Sequence, residues 1–563
     1  MGVLGRSAPQ VRTRRRDTLV RQHRSFPRLF GSLLLVVAAG VSSVGAAPER
    51  VRPAPAHDVK ARPLGQVVPA PARVRPGGSP YAITASTRIR VDASRADSRE
   101  ARRIGSYLAG LLRPSTGYAL PVTEGHGDGG IRLRLGSSDR SLGEEGYRLE
   151  SGRGGVTLTA REPAGLFHGV QTLRQLLPAS VEERSRQRGP WTIAGGTITD
   201  TPRYAYRGAM LDVSRHFMTV SQVKLYIDQL ALYKINKLHL HLSDDQGWRI
   251  AVDSWPRLAA YGGSTQVGGG PGGYYTKAQY RDLVSYAASR QLEVIPEIDL
   301  PGHTNAALAS YAELNCDGVA PPLYTGTSVG FSSLCAGKEV TYDFVDDVVR
   351  ELAALTPGKY LHIGGDEAHS TSHEDYVAFM DRAQAIVRKY GKTVVGWHQL
   401  TGATPVKGAV AQYWGYDETG ADERLRVAAA TKAGTRLVLS PADRVYLDMK
   451  YDRNTVLGQA WAGYTEVDRA YDWNPATYLA DAGVAEDAVL GVEAPLWTET
   501  IVTSDQLESM AFPRLPGVAE LGWSPAATHD WNTYKSRLAA QGPRMTALGI
   551  DYYRSPLVPW PAG

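Results

Sequence analysis

From Tyr204 onward the chain alternates short β-prone apolar runs with amphipathic helical stretches, and the apolar runs number eight: YRGAMLDV, KLHLHLS, LEVIPEID, KYLHIGG, TVVGW, AVAQYW, RLVLS and AVLGVEA. Their length and apolar patterning mark them as strands. Apolar residues at helical spacing predict helices over 221–233, 277–291, 342–355, 376–390, 422–433 and 504–519, with the weakest helical signal after the fifth and seventh strands. Strands separated by crossovers of this length run parallel, and eight of them close into a barrel with its active site at the C-terminal strand ends. The expected fold class is therefore α/β, a TIM-type (β/α)8 barrel over 199–563 with a C-terminal tail.

What precedes the barrel is different in kind. Residues 79–198 carry short alternating runs, TRIRVD, GIRLRLG, GYRLES and GVTLTA, with helical stretches at 98–112 and 165–177. That pattern predicts a small α+β domain, and because it holds no acid pair, nucleophile or metal cluster its expected role is support. Residues 47–78, rich in Pro, Ala, Val and Arg, are expected to form a linker. Residues 1–46 have a basic stretch, the apolar run LFGSLLLVVAAGV and then small residues, the layout of a secretory signal peptide cleaved after Ala46 or Ala47. The leader also accounts for the charge: it holds eight arginines and one aspartate, against a formal net charge of +6 for all 563 residues. The remainder is close to neutral, which argues against nucleic acid as a partner and, once the leader is cleaved, against a membrane surface. A secreted protein is expected, and the two cysteines, Cys316 and Cys335, close together in an exported chain, are expected to form one disulfide.

The strand ends form a set. They carry Asp212 and Arg215, Asp244 and Asp245, Asp299 and His303, and Asp366 and Glu367, followed by Trp397, Trp414, Tyr446, Asp448, Trp497 and Glu499. The fourth end, LHIGGDEAH, delivers two adjacent carboxylates through a Gly-Gly turn, which presents them at the rim of the sheet. Taken alone, Asp366 could be a helix cap and Glu367 a solvated first-turn acid. Convergence of acids, an arginine and tryptophans on one face favours a site instead. Ring faces suit the C–H-rich faces of pyranoses, and carboxylates and guanidinium groups bind their hydroxyls. The expected chemistry is glycosidic cleavage, yet adjacent carboxylates do not readily straddle a bond as the usual two-carboxylate scheme requires. Two competing readings have specific motives: a metal-dependent hydrolase, from His239 and His241 on one strand face, and a non-catalytic sugar-binding barrel. The first lacks a further set of histidines in ligand-like positions at other strand ends, so no metal or other cofactor is expected. The second sits poorly with an intact acid pair.

HIGGDEAH, together with LDVSRHF, HLHLSDDQGWR and PEIDLPGHTNA, resembles the β-N-acetylhexosaminidases of glycoside hydrolase family 20, and the preceding α+β segment is similar to that family's N-terminal domain. The resemblance implies a retaining exo-hydrolase that removes terminal β-linked N-acetylhexosamine by substrate assistance, as family 20 is one of the exceptions to the two-carboxylate scheme. It further implies that Glu367 is the general acid/base and that Asp366 orients the substrate's 2-acetamido group. Arg215 and Glu499 would bind the outer hydroxyls, Asp448 another hydroxyl, and Tyr446 the acetamido oxygen. Trp397, Trp414 and Trp497 would wall the sugar, with Asp299 and His303 supporting Glu367. The implied partner is an oligosaccharide or glycoconjugate ending in β-GlcNAc or β-GalNAc; the choice between them and the oligomeric state stay open.

Overall fold

The computed structural model describes residues 61–561, His126 and Asp128 excepted, so the expected signal peptide and the first part of the expected linker lie outside the described residues. Eight parallel strands close into a barrel in chain order: β1 Tyr206–Asp212, β2 Lys237–His241, β3 Glu293–Glu297, β4 Tyr360–His362, β5 Thr393–Trp397, β6 Val410–Tyr413, β7 Arg436–Leu439 and β8 Val489–Ala494. Each of the eight predicted runs supplies one of them. The ring closes where β8 pairs with β1, Tyr206 opposite Gly491 and Ala209 opposite Ala494. Nearly every strand residue is buried, as expected for parallel strands covered on both faces.

The barrel helices follow the apolar periodicity, and three of them start with a capping box, Thr219 with Gln222, Thr276 with Gln279 and Thr503 with Gln506. After β5 there is only a 3-10 turn, His398–Gly402, and after β7 come the short helices Ala442–Val445 and Val467–Tyr471 and two 3-10 turns, Ala480–Ala482 and Glu486–Ala488. The single helix predicted over 504–519 is two, Ser504–Ala511 and Arg514–Trp523. Pro513 divides them, because it has no N–H to continue the first helix and is tolerated at the start of the second.

The N-terminal domain is a seven-stranded sheet whose buried face lies under the helices Ser98–Thr116 and Pro163–Leu176. The expected linker is overturned for residues 61–78. Leu64, Val67 and Val68 are buried, the Val68 N–H donates to Gln175 Oε1 at 2.9 Å, and Arg73–Pro76 pairs antiparallel with Gly196–Asp200 as the edge strand of the sheet. A few apolar residues at the right spacing outweigh a linker-like composition.

A buried polar cluster joins the domain to the barrel. Asp200 Oδ2 accepts from Tyr147 Oη at 2.6 Å, from Lys234 Nζ at 3.0 Å and from Trp523 Nε1 at 3.0 Å. The Lys234 ammonium also lies 4.4 Å from the centre of the Trp523 ring. Arg207, at the start of β1, pairs with Glu145 of the small domain. The C-terminal segment joins the same assembly: Arg544, in the helix Gly542–Leu548, pairs with Glu182 and donates to the Leu177 carbonyl at 2.7 Å.

Candidate active site

Four strand ends build the acidic side of the site. β4 is only three residues long, and Gly364 and Gly365 follow with φ of 63° and 102°. A side chain at Gly364 would overlap Asp299, its Cβ falling 1.6 Å from Oδ1, so the glycine is required both by conformation and by space. The Gly365 N–H donates to Asp299 Oδ1 at 3.1 Å, and Tyr376 Oη donates to the Gly365 carbonyl at 2.7 Å. This clamp fixes the turn that delivers Asp366 and Glu367. Glu367 and His303 themselves have positive φ, 43° and 55°, a conformation costing on the order of 1–3 kcal/mol each and characteristic of functional sites.

His303 Nε2 lies 3.2 Å from Glu367 Oε2 and 3.7 Å from Asp366 Oδ2. Its Nδ1 faces Asp244 Oδ1 at 3.2 Å. Asp244 is the hub: its Oδ2 also takes Arg215 at 2.8 Å and His241 Nε2 at 2.7 Å. Burial opposes the charge on His303, but Asp244 and Asp366 overcome it and raise the imidazole well above its ordinary value. Burial likewise works against the Glu367 carboxylate, while His303 and Arg215 win and hold it below the usual range. Asp366 goes the other way, pushed up to about 6 by burial and by the neighbouring carboxylates Glu367 and Glu297. Asp299 is raised well above its usual value by burial and by Asp366. Two adjacent acids thus have opposite protonation tendencies.

Arg215 is nearly buried, and its charge is secured against that burial by Asp244, Asp212 and Glu499. Its Nε and Nη1 make no hydrogen bond within the protein, Nη1 lying 3.6 Å from Asp212 Oδ2, and its guanidinium stacks 4.8 Å from the Trp497 ring centre. Donors fixed in this way and left unsatisfied are suited to a ligand's hydroxyls. Burial and Glu499 raise the Asp448 carboxyl well above its usual value, and Asp448 Oδ2 is also without a partner. Glu499 is raised by burial despite Arg215.

These side chains line one cavity of about 380 Å³ that contains Arg215, His303, Asp366, Glu367, Tyr446 and Asp448, with Trp414, Trp497 and Glu499 on its wall. Trp414 is held by a 3.0 Å hydrogen bond from Nε1 to Gln399 Oε1. Asp299 and Trp397 are the predicted site residues that do not line the cavity: Asp299 lies behind the acid pair, and Trp397 is fully buried behind Trp497, 5.7 Å between ring centres, and supports the wall from below. Residues without a role in the sequence reading also reach the cavity. Trp461 and Tyr416 stand at the mouth with their rings edge-on, 5.7 Å apart, and Thr327 and Val329 come from the loop after β3. An isolated tryptophan in a polar loop was the available signal for Trp461. Asp244 was visible as a strand-end acid, but its bonds to both Arg215 and His303 could not be read from spacing.

The histidines behind the metal reading are otherwise engaged. His239 is set between Glu493 at 2.8 Å and Glu297 at 3.0 Å, and His241 between Glu297 and Asp244. With a carboxylate on each nitrogen, both rings are hydrogen-bond donors in the barrel interior rather than free ligands.

Comparison with known proteins agrees with this geometry. Residues 204–526 match the family described as Glycosyl hydrolase family 20, catalytic domain, and residues 65–201 match its domain 2. A beta-N-acetylhexosaminidase of Cellulomonas fimi is 43% identical over 486 residues, 86% of this chain and 95% of the relative. The solved GH20 beta-N-acetylhexosaminidase from Streptomyces coelicolor A3(2) superimposes with a TM-score of 0.87 at 72% identity, covering 89% of this chain and 100% of that one. A mutant Streptomyces plicatus beta-hexosaminidase in complex with product (GlcNAc) gives a TM-score of 0.87 and 72% identity, over 89% of this chain and 99% of that one.

Proposed function

The chain belongs to glycosyl hydrolase family 20, and on that premise we propose that it is an exported exo-acting β-N-acetylhexosaminidase that releases terminal N-acetylhexosamine with retention, using the substrate's own acetamido oxygen as nucleophile. The observation that carries the reading is the placement of Asp366 and Glu367 side by side in one aromatic-walled, sugar-sized cavity, with His303 in reach of both.

In the first step the acetamido carbonyl oxygen attacks the anomeric carbon, the glycosidic C–O bond breaks, and Glu367 gives its proton to the leaving oxygen. Glu367 is held low by His303 and Arg215, so it draws the proton it donates from the His303–Asp244 pair beside it. The contact to His303 at 3.2 Å is not aligned as a hydrogen bond, and such contacts tighten when substrate binds. Asp366 accepts from the acetamido N–H and stabilises the positive charge that develops on the oxazolinium ion. Tyr446 donates to the acetamido oxygen. In the second step Glu367 takes a proton from water, which opens the ring and restores the sugar with its original configuration. Tethering the nucleophile to the substrate removes the entropy cost of bringing it to the anomeric carbon.

Arg215 offers two donors that make no hydrogen bond within the protein, and Asp448 and Glu499 offer acceptors, to the outer hydroxyls. The substrate class is an oligosaccharide or glycoconjugate ending in β-GlcNAc or β-GalNAc. Rates on aryl β-glycosides of GlcNAc, GalNAc and glucose test the reading: GlcNAc and GalNAc glycosides should be cleaved and the glucoside, lacking the acetamido group, should not. Cleavage of the glucoside at a similar rate would overturn substrate assistance. Export is tested separately, by the N-terminal residue of protein recovered from culture medium, expected at position 47 or 48.

A further inference from the structure

The seven-stranded sheet of the N-terminal domain has one face under its helices, and among the described residues no helix covers the other. Strand register places side chains of the open face in two straight rows across the sheet. One row runs Arg73, Thr199, Arg148, Thr159, Arg134, Asp92, each residue directly opposite the next. The second runs Arg75, Thr197, Glu150, Thr157, Arg132, Arg90. Arginine and threonine alternate strand by strand in the first row, and the two acids on this face are each set against an arginine, Glu150 at 3.0 Å from Arg148 and Asp92 at 3.3 Å from Arg134. Those arginines remain half-exposed all the same, 49% and 53%, and Arg73 and Arg75 are exposed on the edge strand. The second row borders a trough of about 690 Å³ rimmed by glycine turns at Gly77, Gly129 and Gly154.

We infer that this face binds a linear acidic polysaccharide carrying one negative group per disaccharide. Neighbouring strands lie ~4.8 Å apart, so Arg73, Arg148 and Arg134 recur every ~10 Å, about the length of a disaccharide in an extended chain. Arg73 can take a carboxylate in fork geometry, Arg148 and Arg134 can take one through the N–H donors that Glu150 and Asp92 do not occupy, and the threonine hydroxyls between them meet the uncharged sugar in the repeat. A nucleic acid strand, with a phosphate every ~3.4 Å of helix axis, would set most of its charges against threonine. The trough accommodates the ring substituents of a chain lying along the rows. This face is built by the small domain alone and is independent of the reaction assigned to the barrel.

The test uses the full chain and hyaluronan oligosaccharides made with a lyase, which alternate N-acetylglucosamine with glucuronate and end in an unsaturated uronate that the catalytic cavity is not built to hold. Titration calorimetry at low salt should show binding that weakens as salt rises. The triple variant Arg73→Thr, Arg134→Thr, Arg148→Thr keeps strand-forming residues on an exposed face and should bind about tenfold or more weakly, while hydrolysing an aryl N-acetylglucosaminide at the wild-type rate. Should the triple variant lower the yield of folded protein, Arg73→Thr alone, on the edge strand, should weaken binding about two- to threefold. Unchanged affinity in the folded variants, no binding by the wild type, or tighter binding of single-stranded DNA than of hyaluronan would each overturn the proposal.

Discussion

At the scale of single residues, Asp366 and Glu367 are neighbours in sequence with separable tasks. Glu367→Gln should lose about 10²- to 10⁴-fold on substrates with poor leaving groups and much less on activated aryl glycosides, which need little protonation. Asp366→Asn should damage both substrate kinds alike, because ring formation precedes any benefit from a good leaving group; a burst of activity on activated substrates with Asp366→Asn would refute the division. The pH profile follows from the same pair. Asp366 acts ionised and its carboxyl is pushed up to about 6, so kcat/KM should rise with pH through about 6 and fall again at higher pH, where His303 loses the proton that Glu367 passes to the leaving oxygen. The measured midpoint belongs to the Asp366–Asp299 pair. The stability sign is the opposite: the folded state binds this proton more tightly than the unfolded chain, so the contribution is favourable below the unfolded value and is lost as pH rises through 6. At pH 7 Asp366→Asn should therefore be as stable as the wild type or more so, by on the order of 1–3 kcal/mol, as read from urea denaturation. The acid pair and Arg215 were legible in the sequence because their motifs are local. Trp397 was not, because whether a tryptophan at a strand end faces the cavity or supports it from beneath depends on its neighbours in other strands.

At the scale of elements, the loop between β3 and the helix Glu339–Leu355 carries both cavity residues and the disulfide. Cys316 and Cys335 are bonded across 19 positions, and between them Thr327 and Val329 reach the cavity. Ser332 Oγ anchors the same loop to Asp245 at 2.5 Å. Replacing both cysteines by serine should cost roughly 3 kcal/mol in the chain-entropy account and raise KM more than it lowers kcat, since Thr327 and Val329 line the cavity wall while the turn that delivers the acid pair is held separately by Asp299 and Tyr376. Equal losses in kcat and in stability-corrected binding would show the loop acting on the chemistry itself. The eight strands were readable because buried parallel strands are short apolar runs bounded by turns. The edge strand Arg73–Pro76 was not, because its side chains are mostly exposed and polar and only its hydrogen bonds to Gly196–Asp200 define it.

At the scale of the whole molecule, the small domain and the barrel share the buried cluster of Asp200, Tyr147, Lys234 and Trp523. Burial pulls the Lys234 ammonium down from its ordinary value against the pull of Asp200, so the pair depends on its hydrogen bonds. Asp200→Ala leaves that ammonium buried without its carboxylate and should cost on the order of 3 kcal/mol. Unfolding of the wild type should be a single transition in which both domains lose structure together. A variant that unfolds in two steps, with the barrel melting at the wild-type midpoint, would mean that the cluster holds the small domain only. None of these contacts was legible in the sequence, since Asp200 and Trp523 lie at opposite ends of the barrel segment and meet only when β8 closes on β1.

Arg215 and Asp448, both buried, line the catalytic cavity with the Trp497 ring, and an exo-acting hydrolase takes a chain by one terminal sugar and does not let it pass through. On a polymer the rate is then set by the number of chain ends and not by the mass of material. Monosaccharide accumulates from the first turnover, the chain-length distribution shifts down one unit at a time, and viscosity stays almost constant until most of the sugar has been released.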